Sequence, residues 1–172
     1  MLGEISAHRR LSTMADKQAL AAVEAFRAQY LAHTSDANFD RKMWEHLDII
    51  SASATKETVT FAISIPSVYS NHLGIVHGGA IATLFDGLTS SAMALLGPGL
   101  LWSGKEVSRS LHCKFLKPVP VEECIDANIS VVHADSRTAT IRGELRRGRD
   151  QLLLAECTHE KANLASSLRS RL

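Results

Sequence analysis

The sequence predicts an α+β domain in which an antiparallel sheet covers a long central helix. Three observations carry that prediction. The segment Gly78–Leu96 is apolar around most of its circumference, the last third of the chain reads as four β-segments, and short connections join them. The element order is then helix, one or two strands, long buried helix and four strands, which suits a sheet wrapped on a helix. The 172 residues suit one domain, expected over 14–166, with 1–13 a disordered start.

The first element lies in residues 16–31, where Leu20, Val23, Phe26 and Tyr30 fall on one helical stripe and Asp16, Lys17, Glu24 and Arg27 fill the rest. Packing of this helix on its own domain is expected ahead of membrane or partner binding. Residues 43–50 suit a short strand. In 58–65, Val59, Phe61, Ile63 and Ile65 alternate with Thr60, Ala62 and Ser64, the period of a half-buried strand, and Pro66 ends it.

Gly78–Leu96 carries Ile81, Leu84, Phe85, Leu88, Ala92 and Leu95 at spacings of three and four, and Gly97-Pro98-Gly99 stops it. A helix of that length runs ~28 Å at 1.5 Å per residue. Strands follow at 107–116, 124–133, 137–145 and 152–161. Pro118-Val119-Pro120, Ala134-Asp135-Ser136 and Arg147-Gly148-Arg149-Asp150 separate them, and such short links favour antiparallel hairpins.

Composition narrows the function. Lys and Arg number 19 against 18 Asp and Glu, so no overall charge points to nucleic acid or an anionic membrane. Cys113, Cys124 and Cys157 are odd in number and form no C-x-x-C pair, which favours neither a disulfide framework nor zinc and suits a reducing compartment. The longest apolar run, 80–96, is broken by Asp86 and Gly87, so no membrane span is expected. Arg9 and Arg10 against a single acid, Glu4, give 1–13 a faint transit-peptide look. A cytoplasmic or mitochondrial-matrix location is therefore expected. The histidines show no metal-ligand spacing, and no G-x-S-x-G, P-loop or G-x-G-x-x-G run appears. No metal or cofactor is expected.

The chemistry concentrates in residues 71–79 and in Asp86. His77-Gly78-Gly79 stands where loop turns into helix, where backbone N–H groups lack intrahelical partners and the dipole is positive. Two glycines there admit a ligand oxygen and can hold a developing oxyanion, although glycines that merely cap and pack the helix are the plainer reading of that pair alone. Asp86 is a carboxylate within an apolar helix, kept either for structure or for function. It lies eight residues beyond Gly78, ~12 Å along the axis, too far for both to act on one carbonyl carbon. Two copies of the helix packed antiparallel about a two-fold axis would bring them together.

These residues resemble the hotdog-fold acyl-CoA thioesterases of the small thioesterase superfamily member two type. The resemblance rests on N-x-x-G-x-x-H-G-G-x(6)-D, met by Asn71, Gly74, His77, Gly78, Gly79 and Asp86, and continues through Val107-Ser108 and Phe115-Leu116-x-Pro118. It covers roughly 38–164 and implies a homodimer or homotetramer with composite sites that cleaves acyl-CoA to free acid and CoA.

By motif position it implies that Gly78 N–H and Asn71 polarise the thioester carbonyl. Asp86 and Ser108 of the other subunit position and deprotonate water, and His77 shapes the site. The chain departs from the family after Ser108, with Ser110-Leu111-His112 in place of an Asp-Met-Asn run; Ser110 shares the face of Ser108 and is the alternative. For the CoA phosphates the resemblance points to Lys117 and Arg137 first; Lys114 and Lys161 are further candidates among the basic residues available, with solvated charge the plainer reading of any one of them. The rival functions are a hotdog-fold hydratase or dehydratase using His77 with Asp86, and a non-catalytic acyl-CoA-binding subunit.

Overall fold

A computed structural model describes residues 13–96, 102 and 106–164. The expectations for 1–12, for Gly97-Pro98-Gly99 and for 165–166 lie outside the described residues. Helix α1 spans Met14–His33 and starts at a capping box in which Thr13 Oγ1 accepts from Asp16 N and the Asp16 carboxylate accepts from Thr13 N. The second Asp16 oxygen accepts from Ala54 N at 3.0 Å and ties the helix start to the sheet. Ala19 and Val23 are buried, and Phe26 and Tyr30 face Trp44 with ring centroids 5.9 and 5.3 Å away. The stripe thus packs on its own domain.

The expected strand at 43–50 is corrected. Residues Arg41–Glu45 form a short helix, α2, and strand β1 begins only at Leu47, running Leu47–Ser53. Met43 and Trp44 are neighbours in sequence and both are buried, which a helical turn permits and a strand packed on one face does not. Strand β2 is Thr58–Ser64, and a 3-10 turn at Ser67–Tyr69 precedes helix α3, Gly78–Ala92, which tightens into a 3-10 turn at Met93–Leu96. The remaining strands are β3 Glu106–Phe115, β4 Cys124–Ala134, β5 Thr138–Arg147 and β6 Leu153–Asn163.

The sheet is antiparallel with order β1-β2-β4-β5-β6-β3. Two of the expected hairpins form, β4–β5 and β5–β6; the third does not. The link through Pro118 and Pro120 carries the chain across the end of the sheet, so β3 pairs with β6 and β4 pairs with β2. The link is fixed by its own bonds: Val119 is buried with its carbonyl accepting from Val76 N, and Glu122 N donates to the Ile65 carbonyl. Among the described residues, β3 has a strand partner on one side only.

This is the hotdog fold. Phe85 and Leu88 of α3 are 0% exposed against a sheet face that carries Phe61, Ile63, Ile125, Ile141 and Leu145. Gly143 of β5 permits the close approach, since a Cβ there would sit 2.9 Å from the Phe85 ring. By length and mean hydropathy, 19 residues at 1.4, Gly78–Leu96 is long and apolar enough to cross a membrane, contrary to the count from apolar runs. Half of its most apolar window is buried within the domain.

Candidate active site

The loop entering α3 is built by its own polar groups. Asn71 Oδ1 accepts from Leu73 N at 2.8 Å, the Asn71 carbonyl accepts from Gly74 N, and Asn71 N donates to the Ile75 carbonyl. Gly74 takes φ +75, a conformation that favours glycine. The Asn71 side-chain nitrogen, Nδ2, has no partner among the described residues, and Asn71 lines an open cleft of ≈ 310 Å³ with Gly78, Phe115 and Lys117. His77 is the N-cap of α3, its Nδ1 accepting from Gly79 N at 2.9 Å. Gly78 N–H heads the helix without an acceptor among the described residues, and the Phe115 ring lies 3.6 Å from where a Cβ would stand. Two unpaired donors therefore converge on one cleft at the positive end of a helix, which suits an anionic oxygen.

Asp86 stands elsewhere. Its side chain is 52% exposed, and Ser108 Oγ of β3 donates to its Oδ1 at 3.1 Å. The structure thus brings Asp86 and Ser108 together, and separates both from Asn71 and Gly78 within the chain. Ser110, the alternative, instead donates to Glu160 at 3.3 Å.

The four basic residues do not converge within the chain either. Lys117 is exposed at the mouth of the Asn71 cleft, and Lys114 is exposed and paired with Glu156 at 2.9 Å. Arg137 is exposed on the β4–β5 turn, where its carbonyl accepts from Asn163 N. That end of the sheet is opposite to Lys117, ~30 Å away along a ten-residue strand. Lys161 is 3% exposed, which takes it off the surface where a phosphate contact was expected. Burial holds its ammonium below the usual value, against the opposing pull of Asp86 and Glu106.

Sequence reasoning gave no role to His159. It lies on β6 at 0% exposure, with Nδ1 2.6 Å from Thr89 Oγ1 and Nε2 3.6 Å from Asp86 Oδ1. The signal was alternation, because Ala155, Cys157, His159 and Lys161 share one strand face and the first two belong to the core. Burial, with Lys161 beside it, pushes the imidazole down to about 4 while Asp86 pulls the other way.

The folded value lies below the roughly 6.5 of a free imidazole, so between the two the unfolded chain binds more protons and stability falls as pH falls. Over that window the group contributes a loss of about 3 kcal/mol. Urea midpoints should therefore drop between pH 7 and pH 4, and His159→Gln should flatten the drop; an unchanged slope in that variant would place the titration on other groups.

Among the described residues no three His, Cys, Asp or Glu side chains gather as metal ligands would.

Residues 73–154 match the family model described as Thioesterase superfamily. No curated protein matches the chain. Among solved structures, thioesterase superfamily member 2 from Mus musculus superposes with TM-score 0.66 at 22% identity, over 88% of this chain and 98% of that one. The E. coli PaaI protein from the phenylacetic acid degradation operon gives TM-score 0.63 at 17% identity, over 84% and 95%. A hypothetical thioesterase from Streptococcus pneumoniae TIGR4, solved with coenzyme A, gives 0.59 at 17%, over 69% and 85%.

Proposed function

We propose that the chain, whose residues 73–154 match the family model described as Thioesterase superfamily, hydrolyses acyl-CoA thioesters to a free acid and CoA at sites shared between two copies. The observation that carries the reading is the division of the site along β3. The oxyanion cleft of Asn71 and Gly78 touches Phe115 at one end of the strand, and the Asp86–Ser108 pair touches the other. Pairing two β3 edges antiparallel about a two-fold axis sets each end against the other's opposite end. That closes a gap of ~12 Å that one helix cannot close by itself.

In the assembled site Asp86 takes a proton from water as the water oxygen attacks the thioester carbonyl carbon. Gly78 N–H and the Asn71 amide hold the oxyanion. Collapse breaks the carbon–sulfur bond, and the proton taken by Asp86 passes to the departing CoA thiolate. The solution of the Streptococcus pneumoniae relative with coenzyme A supports a CoA ligand, and exposed Lys117 at the cleft mouth suits its phosphates. His77 uses Nδ1 as a helix cap, which counts against the hydratase reading in which it moves protons.

The test is thiol release from a panel of short, long and aromatic acyl-CoAs. Free CoA from at least one is expected. Binding without thiol release would replace this reading with the non-catalytic subunit, and hydration of an enoyl-CoA would replace it with the hydratase.

A further inference from the structure

A thioester has two arms, and the Asn71 cleft with Lys117 at its mouth accounts for the CoA arm only. A second, larger groove of ≈ 680 Å³ separates helix α1 from the end of α3 and the 3-10 turn that follows it. On that side it is walled by Ser90, Met93 and Ala94, and Ser90 stands one turn beyond Asp86 on the same side of the helix. Glu106, which lines the groove from β3, stands two residues before Ser108 on the same strand face. The groove therefore starts where the proposed base and its serine meet.

The opposite wall is α1, where Ala22, Ala25, Gln29 and His33 recur every three or four residues in a stripe beside the one that packs on the core. Trp44 fixes direction along it. A Cβ on Gly87 would sit 2.9 Å from the Trp44 ring, and the Tyr30 ring lies 5.3 Å from that same ring, centroid to centroid. Burial, then Asp40, raises the Tyr30 phenol, and the charge of Asp86 reaches it too. Tyr30 thus marks the end of the groove nearest Asp86, and Ala22 lies eight residues earlier, ~12 Å further on. Tyr30 OH donates to Asp40 at 2.6 Å, and Trp102 Nε1 donates to the Asp135 carbonyl at 2.9 Å. With those tips engaged, the two rings that line the groove present apolar surface to it.

We propose that this groove holds the acyl tail as an extended, unbranched chain, and that Ala25 and Ala22 on α1 set how much of it is accommodated. A polymethylene chain advances ~1.3 Å per carbon, so ~12 Å of groove takes about nine carbons beyond the carbonyl, a tail of decanoyl size. An elongated groove of that length suits a chain better than a compact ring. Both alanines lie outside residues 73–154, so the gauge is a property of this chain's N-terminal helix rather than of the segment that matches the family model. That the tail belongs to a substrate rests on the thioesterase reading; that the groove takes an alkyl chain does not.

The experiment has two arms. The first is titration calorimetry with butyl- and decyl-CoA thioethers, which cannot be hydrolysed. Wild type should bind decyl-CoA at least about tenfold more tightly, since each methylene taken from water is worth up to about fourfold. Ala25 is exposed to the groove, so Ala25→Trp fills it without disturbing the core and should bring the two ligands within about threefold of each other. Ala25→Leu should move the ratio the same way by less, and Ala22→Trp, further from Asp86, should cost decyl-CoA less than Ala25→Trp does. A wild type that binds the two thioethers alike, a folded Ala25→Trp or Ala25→Leu that keeps the wild-type ratio, or the reverse order for the two tryptophans overturns the proposal.

In the kinetic arm, kcat/KM for thiol release should climb from butanoyl- to decanoyl-CoA and exceed that for phenylacetyl-CoA, and Ala25→Trp should lower it at least about tenfold more for decanoyl- than for butanoyl-CoA. A preference for the aromatic ester, or an equal loss on both chain lengths, overturns the proposal. If wild type releases thiol from no acyl-CoA, the thioesterase reading falls, and the binding arm alone decides whether the groove holds an alkyl chain.

Discussion

Asp86→Asn is expected to lower kcat by about 10² or more while leaving the fold intact. The amide keeps the shape of the carboxylate and an oxygen that can still accept from Ser108, the position is half exposed, and buried Lys161 keeps the pull of Glu106 when that of Asp86 is lost. What it loses is the lone pair able to take a proton from water at neutral pH. Circular dichroism and the urea midpoint should match wild type, and the loss should appear in kcat rather than KM, since Asp86 acts on water rather than on the bound ester. A variant with near-normal kcat would remove Asp86 from the role of base and, with it, the assignment of Ser108 as its holder.

Two separately inactive proteins should rescue each other when mixed, provided that Asn71 and Asp86 work across a two-fold axis. An Asp86 variant retains a sound oxyanion cleft, and an Asn71 variant retains a sound base. In a mixed dimer one site collects both defects and the other collects neither. With random pairing and independent sites, half of the dimers are mixed and carry one good site each, so activity should return to roughly a quarter of wild type. Subunit exchange is first demonstrated by mass spectrometry of tagged chains. Demonstrated exchange with activity still at the level of the parents would mean that the two residues never meet, and the shared site would fall with that result.

Much of this architecture was legible in the sequence because the relevant signals are periodic. The three- and four-residue spacing from Ile81 to Ala92 gave helix α3, and the alternation in 58–65 gave strand β2. Met43-Trp44 misled because two adjacent apolar residues fit a strand and a helical turn equally well, and only burial of both decides. The link at Pro118 misled for a different reason. Loop length reports that two strands are close in the chain, whereas the partner of β3 is set by which edge remains after β4, β5 and β6 have paired.

The site divides in the same way. Asn71, Gly78 and Asp86 stand at fixed spacing on one helix and the loop before it, so their separation could be calculated in advance. Lys161 and His159 depend on which face of β6 meets α3, and a lysine in a sequence carries no sign that its strand position faces inward.

The order of strands also sets a timetable for synthesis. Helix α3 leaves the ribosome well before its cover exists, because β4, β5 and β6 lie at 124–134, 138–147 and 153–163. At about 5 to 20 residues per second, the roughly seventy residues from the end of α3 to the end of β6 take on the order of 4 to 14 s. Throughout that interval a segment of mean hydropathy 1.4 is presented to water or to any nearby lipid with only β1 and β2 available to shield it. The nascent chain therefore depends on a chaperone or on early collapse with β1 and β2, and a message truncated before β6 yields a product whose most apolar helix stays bare.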